Sequence, residues 1–287
     1  MELKNIPTFD EIRELDTGDD KIQLISDLVD KNKPAGDRYT TGFKLFDKAM
    51  DGGFKEGDLV VISGISGHGK TTLSMSMTYH LCENAVPCLW FSYEIGLEYL
   101  NAKFLKMGIE DFYQAYAPKK NTTGQLEWIK GKIREGWIKF ATKVIFIDHI
   151  DFLTPTNIKT SDNETIALKK IATELKSLAI ELNVVIVVMA HLKKLPESKE
   201  PDMQDIAQSA GIFQLADYVF IIYREKEKKG RFDTDDIYSN NSKIKIVKNR
   251  QTGSLKFLHV SYTNGKFIEI SNRYEEPPMS RMDYINR

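Results

Sequence analysis

The sequence has few cysteines, no long apolar run and almost no net charge, and each of these absences excludes a class of protein. Its two cysteines, Cys82 and Cys88, are too few for a disulfide framework, and no apolar run reaches the length that a bilayer requires. Because 40 basic residues balance 41 acidic ones, any nucleic-acid binding must use local patches or repeated subunits. The acidic segment 1–20 lacks a signal-peptide core, so we expect a reducing, cytoplasmic location and no membrane partner.

The composition suits one large α/β domain with short additions at both ends. An apolar fraction of 41% in 287 residues is enough for a sizeable core. Residues 1–36 are expected to form an N-terminal segment with a linker-like helix over Asp20–Lys31, whose apolar face packs either on its own domain or on a neighbouring subunit. Residues 37–270 are expected to form the main domain, and 271–287 a loosely held tail.

From Thr41 onward, strand-like and helix-like segments alternate. Near-continuous apolar runs separated by helices predict a largely parallel sheet covered on both faces, and closely spaced turns near the C-terminus predict an antiparallel extension of that sheet. The predicted strands are Leu59–Ser63, Cys88–Tyr93, Val144–Asp148, Val184–Ala190, Tyr218–Tyr223, Lys243–Lys248, Leu255–Tyr262 and Lys266–Ile270. The predicted helices include Thr71–Glu83, Gln125–Phe140 and Glu164–Leu182.

The segment 64–71, Gly-Ile-Ser-Gly-His-Gly-Lys-Thr, has the pattern of a phosphate-binding loop between a strand and a helix. Glycines let the backbone aim its N–H groups at a phosphate, and the following helix favours an anion at its N-terminus. Lys70 would reach the β- and γ-phosphates, and Thr71 would ligate Mg²⁺. A glycine-rich turn with a solvated lysine is the alternative. The residues expected to bind the nucleotide are Gly64, Ser66, Gly67, His68, Gly69, Lys70, Thr71 and Thr72.

Three further strand ends carry polar side chains. Asp148 lies where ligands bind in open parallel sheets and is expected to hold Mg²⁺, or else it caps its strand. Glu94 follows a strand that we expect beside the phosphate-loop strand, and it either activates the attacking water or is an acid at a helix start. His191 either senses the γ-phosphate or is an ordinary strand-end histidine.

Several motifs follow one another along residues 37–270. They are Thr41-Gly42-Phe43, Gly52-Gly53, Glu56-Gly57-Asp58-Leu59, the phosphate-binding loop, Phe91-Ser92-Tyr93-Glu94, Ile147-Asp148-His149-Ile150, Ala216-Asp217 and Lys248-Asn249-Arg250. In this order they resemble the RecA-like ATPase core of the DnaB-type replicative helicases. The family's full-length members carry a further N-terminal domain or a primase before the linker helix, whereas here about 36 residues precede the core.

The resemblance implies a RecA-like P-loop fold and an ATP-dependent, ring-forming DNA helicase that moves 5′ to 3′ on single-stranded DNA in replication. ATP and Mg²⁺ are the implied cofactors, and the implied partners are single-stranded DNA, further copies of the chain in a ring of usually six, and a primase or loader. Lys248 and Arg250 would act in trans on the neighbour's γ-phosphate, or else they are solvated charges beside a turn. With them, the candidate catalytic residues are Lys70, Glu94, Asp148, His191, Lys248 and Arg250.

The chain departs from the family in the loop that grips DNA. The family usually has Asp-Leu-Arg, whereas this chain has Asp205-Ile206-Ala207 and so lacks the arginine. Backbone N–H groups and upstream lysines would then carry the DNA contacts, unless those lysines form a solvated face. The candidate DNA-binding residues are Lys193, Lys194, Lys199, Gln208, Ser209 and Gly211. The alternative function is a RecA-like regulatory or recombination-mediator ATPase without unwinding activity, which DNA-stimulated ATPase activity would distinguish.

Overall fold

A computed structural model describes residues 36–108, 115–118, 126–154, 161–192, 200–201, 210–226 and 238–270. The chain divides into two compact units, Met1–Asp37 and Arg38–Arg287, and the described helices and strands belong to the second. The predicted helix over Asp20–Lys31 and the tail 271–287 lie outside the described residues, so both stay predictions, as does the boundary after residue 36. None of the described helices is long and apolar enough to cross a membrane.

Strands and helices alternate through most of the second unit, and three closely spaced strands end it. In chain order the elements are β1 (Arg38–Tyr39), α1 (Lys44–Ala49), β2 (Phe54–Lys55), β3 (Leu59–Gly64), α2 (Lys70–Glu83), β4 (Cys88–Ser92), α3 (Leu97–Lys106), β5 (Ala115–Tyr116), α4 (Leu126–Phe140), β6 (Val144–Asp148), a 3₁₀ turn (Ile150–Leu153), α5 (Ser161–Leu182), β7 (Val185–His191), α6 (Ala210–Leu215), β8 (Tyr218–Lys226), β9 (Tyr238–Asn249), β10 (Phe257–Thr263) and β11 (Lys266–Glu269). The predicted strands and helices of the main domain are all present. The main difference in extent is β9, which begins at Tyr238 rather than at Lys243.

Nine of the described strands form one sheet, in the order β11-β10-β9-β8-β3-β7-β6-β4-β5. Strands β8 to β5 in this order run parallel, and β9, β10 and β11 extend the sheet with antiparallel pairs. This confirms the predicted parallel sheet with its antiparallel extension.

One expectation about strand order is wrong, because β4 does not lie beside β3. The neighbours of β3 are β7 and β8, whereas β4 pairs with β6 and with the short edge strand β5. Every residue of β3 is buried, so β3 needs a long apolar strand on each side. β7 pairs with β3 from Leu59 to Gly64 and β8 from Val60 to Gly64, so both sides of β3 are occupied and β7 and β6 separate it from β4.

The sheet separates two hydrophobic cores, and alternate residues of β3 face each of them. Val60 and Ile62 pack in the core that contains residues of α1, α2 and α3 and of the C-terminal strands β9, β10 and β11. Leu59 and Val61 pack in the core that contains residues of α4, α5 and α6. Full burial of each such side chain stabilises the fold by about 1.5–3 kcal/mol. Both faces of the sheet are therefore occupied, and the strand ends are left for polar side chains.

Helix α2 is buried although it carries several hydroxyl groups. The hydroxyls of Ser74, Ser76 and Thr78 each donate to the carbonyl oxygen four residues earlier, at 3.2, 2.7 and 2.9 Å. Ser76 also accepts the backbone N–H of Phe267 at 2.9 Å, and Thr78 accepts the indole N–H of Trp90 at 3.0 Å. These bonds let a helix with mixed polarity pack against strands of the sheet, β11 among them.

Candidate active site

The loop between β3 and α2 depends on glycine at three positions. Gly67 and Gly69 have φ angles of 77° and 104°, which residues with a side chain rarely adopt. A β-carbon on Gly64 would lie 2.5 Å from the carbonyl oxygen of Ile222, and one on Gly69 would lie 2.8 Å from Cζ of Phe267. The loop leads directly into the first turn of α2, whose free N–H groups favour an anion.

Lys70, the first residue of α2, folds its side chain back over the loop. Its Nζ donates to the carbonyl oxygens of Gly64 and Ile65 at 3.1 and 3.4 Å and lies 3.2 Å from Nδ1 of His191. Burial lowers the pKa of Lys70, and the nearby negative charges of Glu94 and Asp148 act in the opposite direction. The ammonium group is therefore held inside the loop, where it would neutralise a bound phosphate.

Thr71 and Asp148 are directly paired beneath the loop. The hydroxyl of Thr71 donates to Oδ2 of Asp148 at 2.7 Å, and Asp148 is completely buried at the end of β6. Burial raises the pKa of Asp148, and the hydrogen bond from Thr71 opposes this rise. Oδ1 of Asp148 has no hydrogen-bond partner among the described residues. A buried carboxylate oxygen with no donor beside a hydroxyl oxygen fits Mg²⁺, which prefers oxygen ligands.

Glu94 and His191 reach the same site from different strands. The backbone N–H of Tyr93 donates to the carbonyl oxygen of Asp148 at 2.8 Å, and this bond holds the exposed Glu94 next to the end of β6. His191 ends β7 and is paired in register with Gly64. Burial lowers the pKa of His191, and the positive charge of Lys70 lowers it further. A neutral His191 suits its role as an acceptor beside the lysine.

The remaining residues of the loop differ in their exposure to solvent. Ser66 and Gly67 are exposed, whereas the side chain of His68 turns inward. Its Nδ1 accepts the backbone N–H of Arg224 at 3.1 Å, and its ring packs edge-on against Tyr238 with centroids 5.1 Å apart. The imidazole of His68 therefore anchors the loop to β8 and β9.

A cavity of about 230 Å³ adjoins the loop, and most of its lining was missed by the sequence analysis. It is lined by Gly67, His68, Gly69, Thr72, Arg224, Asn240, Ser242, Tyr262 and Phe267. Five of these residues come from strands β8 to β11, far along the chain from the loop. The predicted antiparallel extension pointed to these strands, but not to the individual side chains that line the cavity. The cavity provides room beside the phosphate-binding loop for the remainder of a nucleotide.

Lys248 and Arg250 lie away from the loop, on the side of the sheet where β3 begins. Tyr218 pairs with Val60 near the start of β3 and also with Asn249 at the end of β9. Nζ of Lys248 donates to the carbonyl oxygens of Phe213 and Gln214 at 2.5 and 3.0 Å. Arg250 therefore lies next to the start of β3, whereas the loop follows its end.

Most of the candidate DNA-binding residues lie outside the described part of the chain. These are Lys193, Lys194, Lys199, Gln208 and Ser209, and their role stays a prediction. Gly211 is described and is buried in α6. A β-carbon there would lie 2.6 Å from Cβ of Lys169, so the absence of a side chain lets α6 approach α5 closely. This contact gives Gly211 a packing role, and a contact with DNA stays a prediction.

The sequence of this chain is similar to a family of known helicase domains. A sequence profile described as "DnaB-like helicase C terminal domain" matches residues 39–111 and 116–269. The replicative DNA helicase DnaB of Haemophilus influenzae is 27% identical over an alignment of 306 positions, which covers 92% of this chain and 61% of that protein. The DnaB of Buchnera aphidicola is 27% identical over an alignment of 278 positions, which covers 81% of this chain and 55% of that protein. The chain thus spans about three fifths of these relatives.

Solved structures share the fold. A structure described as an ATPase domain superposes with a TM-score of 0.69 at 19% identity, covering 86% of this chain and 96% of that domain. A DnaB-like replicative helicase, described with its interactions with primase, superposes with a TM-score of 0.68 at 19% identity, covering 90% of this chain and 70% of that one. Together with the profile match over most of its length, these findings show that the chain belongs to the family of DnaB-like helicase C-terminal domains.

Proposed function

We propose that this chain is the ATPase unit of a ring-forming DNA helicase, which translocates 5′ to 3′ on single-stranded DNA during replication. The observation that carries the proposal is the pair formed by Thr71 and Asp148, in which Oδ1 of Asp148 has no donor among the described residues. The pair lies below a glycine-dependent loop, with the buried cation of Lys70 beside it. This arrangement suits a nucleoside triphosphate with its divalent ion.

Each residue of the site has a distinct proposed task. Lys70 would neutralise the charge that develops on the transferred phosphoryl group. Thr71 and Asp148 would hold Mg²⁺, which when bound neutralises phosphate charge. Glu94 would orient the attacking water and accept its proton. His191 lies within hydrogen-bond distance of Lys70, so a γ-phosphate that attracts Lys70 would release His191 and alter the segment that follows β7.

The position of Lys248 and Arg250 supports a ring. Both lie near the start of β3, whereas the phosphate-binding loop follows the end of β3. β3 has six residues at about 3.3 Å each, so its start and its end are roughly 20 Å apart. A nucleotide that contacts both Lys70 and Arg250 must therefore lie between two copies of the chain. We propose a hexamer, as in the family, with Arg250 acting in trans on the neighbour's γ-phosphate.

Single-stranded DNA and a primase are the proposed partners. The relatives that the chain matches are named replicative DNA helicases, and one structural neighbour is described with its interactions with primase. The chain has a net charge of −1, so DNA binding would depend on local groups repeated around the ring. Lys193, Lys194 and Lys199 are the proposed phosphate contacts.

The proposal is tested by measuring ATP hydrolysis with and without single-stranded DNA, together with separation of a forked duplex. The wild-type chain should hydrolyse ATP in the presence of Mg²⁺, DNA should stimulate the rate, and the fork should open. Lys70→Ala should abolish both activities because the phosphoryl charge is no longer neutralised. Lys139→Ala, which changes an exposed lysine on α4, is the matched control and should keep both.

Two outcomes would contradict the proposal at different levels. Unchanged hydrolysis by Lys70→Ala would remove the assignment of the active site. ATP hydrolysis that depends on Lys70 but is neither stimulated by DNA nor coupled to unwinding would instead favour a regulatory ATPase of the same fold.

A further inference from the structure

A second group of ligand atoms lies beside the Thr71–Asp148 pair and is chemically different from it. Glu94, His149 and His191 each offer one ligand atom, and these three atoms all lie within 4.8 Å of one another. Two imidazoles and one carboxylate are the donor set of many zinc sites, whereas Mg²⁺ and Ca²⁺ prefer oxygen ligands alone. The group therefore suits a different ion from the one expected at Thr71 and Asp148.

The three ligands lie at or just after the ends of neighbouring strands. β7, β6 and β4 are consecutive strands of the sheet, and His191 ends the first, His149 follows the second and Glu94 lies just after the third. The two imidazole rings pack edge to face with centroids 4.3 Å apart. Oδ2 of Asp151 lies 3.1 Å from Nδ1 of His149 and adds a negative charge next to the histidine. Carboxylates in this position are common beside metal-bound histidines.

We propose that Glu94, His149 and His191 bind a transition-metal ion of the Zn²⁺ class, and that the bound ion stops ATP hydrolysis. The inhibition rests on the proposed function, because Glu94 is the group expected to orient the attacking water. A carboxylate bound to a metal ion is a weaker base and is no longer free to orient that water. The binding itself does not depend on the ATPase assignment.

Metal binding would also change the environment of Lys70. Nδ1 of His191 accepts a hydrogen bond from Lys70 over 3.2 Å. A neutral histidine that binds a metal through one ring nitrogen carries its proton on the other, so neither nitrogen then remains an acceptor. The bond between Lys70 and His191 must therefore break, and Lys70 retains only its contacts with the carbonyl oxygens of Gly64 and Ile65. The ion would thus remove two groups from the catalytic arrangement at once.

The binding is tested by titrating Zn²⁺ into the full chain against a chromophoric zinc indicator, without nucleotide or Mg²⁺. The wild-type chain should bind one Zn²⁺ ion, and His149→Ala and Glu94→Gln should each bind it at least about 10-fold more weakly. This factor is the low end of the loss of metal affinity seen when only a group that orients a ligand is removed. Glu94 is exposed, so Glu94→Gln keeps the test valid if His149→Ala fails to fold. His80→Ala removes a histidine at the end of α2 and should bind Zn²⁺ as the wild type does.

The inhibition is tested by measuring ATP hydrolysis at fixed Mg²⁺ with increasing Zn²⁺. Hydrolysis by the wild type should fall as the site fills and recover when a zinc-selective chelator is added. Equal Zn²⁺ affinity in the wild type and in both variants would overturn the metal site. Zn²⁺ binding that is lost in the variants, in a chain without ATPase activity, would instead keep the site and overturn the proposed function. Full ATPase activity with the site occupied would overturn the inhibition.

Discussion

Nη1 of Arg250 lies 3.4 Å from Oδ1 of Asp217 in the same chain. Asp217 also accepts the backbone N–H of Leu59 at 2.9 Å and forms an ion pair with Lys176. Arg250 is therefore held where β3 begins, far from its own phosphate-binding loop. Its side chain is 55% exposed, so the ion pair is worth at most about 1 kcal/mol. In the proposed ring, the guanidinium would exchange Asp217 for a phosphate of the nucleotide bound to the neighbouring subunit at little cost.

Replacing Arg250 with alanine should leave ATP binding nearly normal and slow hydrolysis by about 10³-fold or more, as for other trans-acting arginines. The reason is that Lys70, Thr71 and Asp148 all remain in place, while the charge from the neighbour is missing. Nucleotide affinity by fluorescence and the rate of phosphate release measure the two effects separately.

Mixing variants tests the trans arrangement of Arg250 directly. Arg250→Ala combined with Lys70→Ala should regain activity, because some interfaces unite an intact Lys70 with an intact Arg250. Arg250→Ala combined with the double variant Lys70→Ala/Arg250→Ala contains no such interface and should stay inactive. Absence of recovery in the first mixture, with subunit exchange demonstrated, would show that Arg250 does not act in trans.

Replacing Glu94 with glutamine should separate nucleotide binding from hydrolysis. The side chain is exposed and keeps its size, so the fold and the loop should be unaffected, while hydrolysis should slow by about 10²-fold or more. Glu98→Gln changes an exposed carboxylate in the first turn of α3 and is the control. Normal hydrolysis by Glu94→Gln would leave Glu94 as an ordinary acid near a helix start.

Asp58 should make the fold less stable as the pH rises. Burial raises the pKa of this carboxyl from 3.8 to about 6, against the hydrogen bond that it accepts from the N–H of Lys55 at 2.7 Å. Between these two values the folded chain holds a proton that the unfolded chain has released. The free energy of unfolding should therefore fall by up to about 3 kcal/mol as the pH rises from 4 to about 6.5, and then level off.

The variant Asp58→Asn removes this titration and still offers an oxygen to Lys55. Urea unfolding of both proteins across the pH range should show the stability of the wild type relative to Asp58→Asn decreasing with pH. Asp51→Asn, at an exposed site, controls for the change in net charge. A difference between wild type and Asp58→Asn that is constant with pH would contradict the raised pKa.

Binding of single-stranded DNA should require ATP or an analogue, fall steeply with salt and show little sequence preference. With Ala207 in place of the family's arginine, the contacts are expected to come from Lys193, Lys194, Lys199 and backbone N–H groups. Each phosphate contact that is lost should make the slope of log affinity against log salt shallower by about 0.7. The slope is measured from the binding of a fluorescent oligonucleotide over a salt series. The variant with the three lysines changed to alanine is compared with the wild type, and Lys139→Ala is the control. An unchanged slope in the triple variant would contradict the assignment of these lysines.

Local sequence patterns predicted the elements of the fold better than their arrangement. The run Val144–Asp148 is apolar up to its last residue, so a buried strand with a polar end follows from the pattern alone. The order of strands depends on which apolar surfaces fit together, and the sequence analysis therefore placed β4 wrongly beside β3. For the same reason it did not find Tyr262 and Phe267 beside the loop, or His149 beside His191.

The close approach of Phe267 to Gly69 joins two parts of the chain that leave the ribosome far apart in time. Phe267 lies in the last described strand, and its ring limits the space beside a loop that is synthesised almost 200 residues earlier. Its backbone N–H also donates to Ser76 in the helix that follows the loop. A nascent chain that has not yet reached β11 lacks both contacts, so the surroundings of the loop are completed only after β11 has been synthesised. A nucleotide bound at the loop, as proposed, would therefore stabilise the domain with β11 in place more than its earlier folding stages.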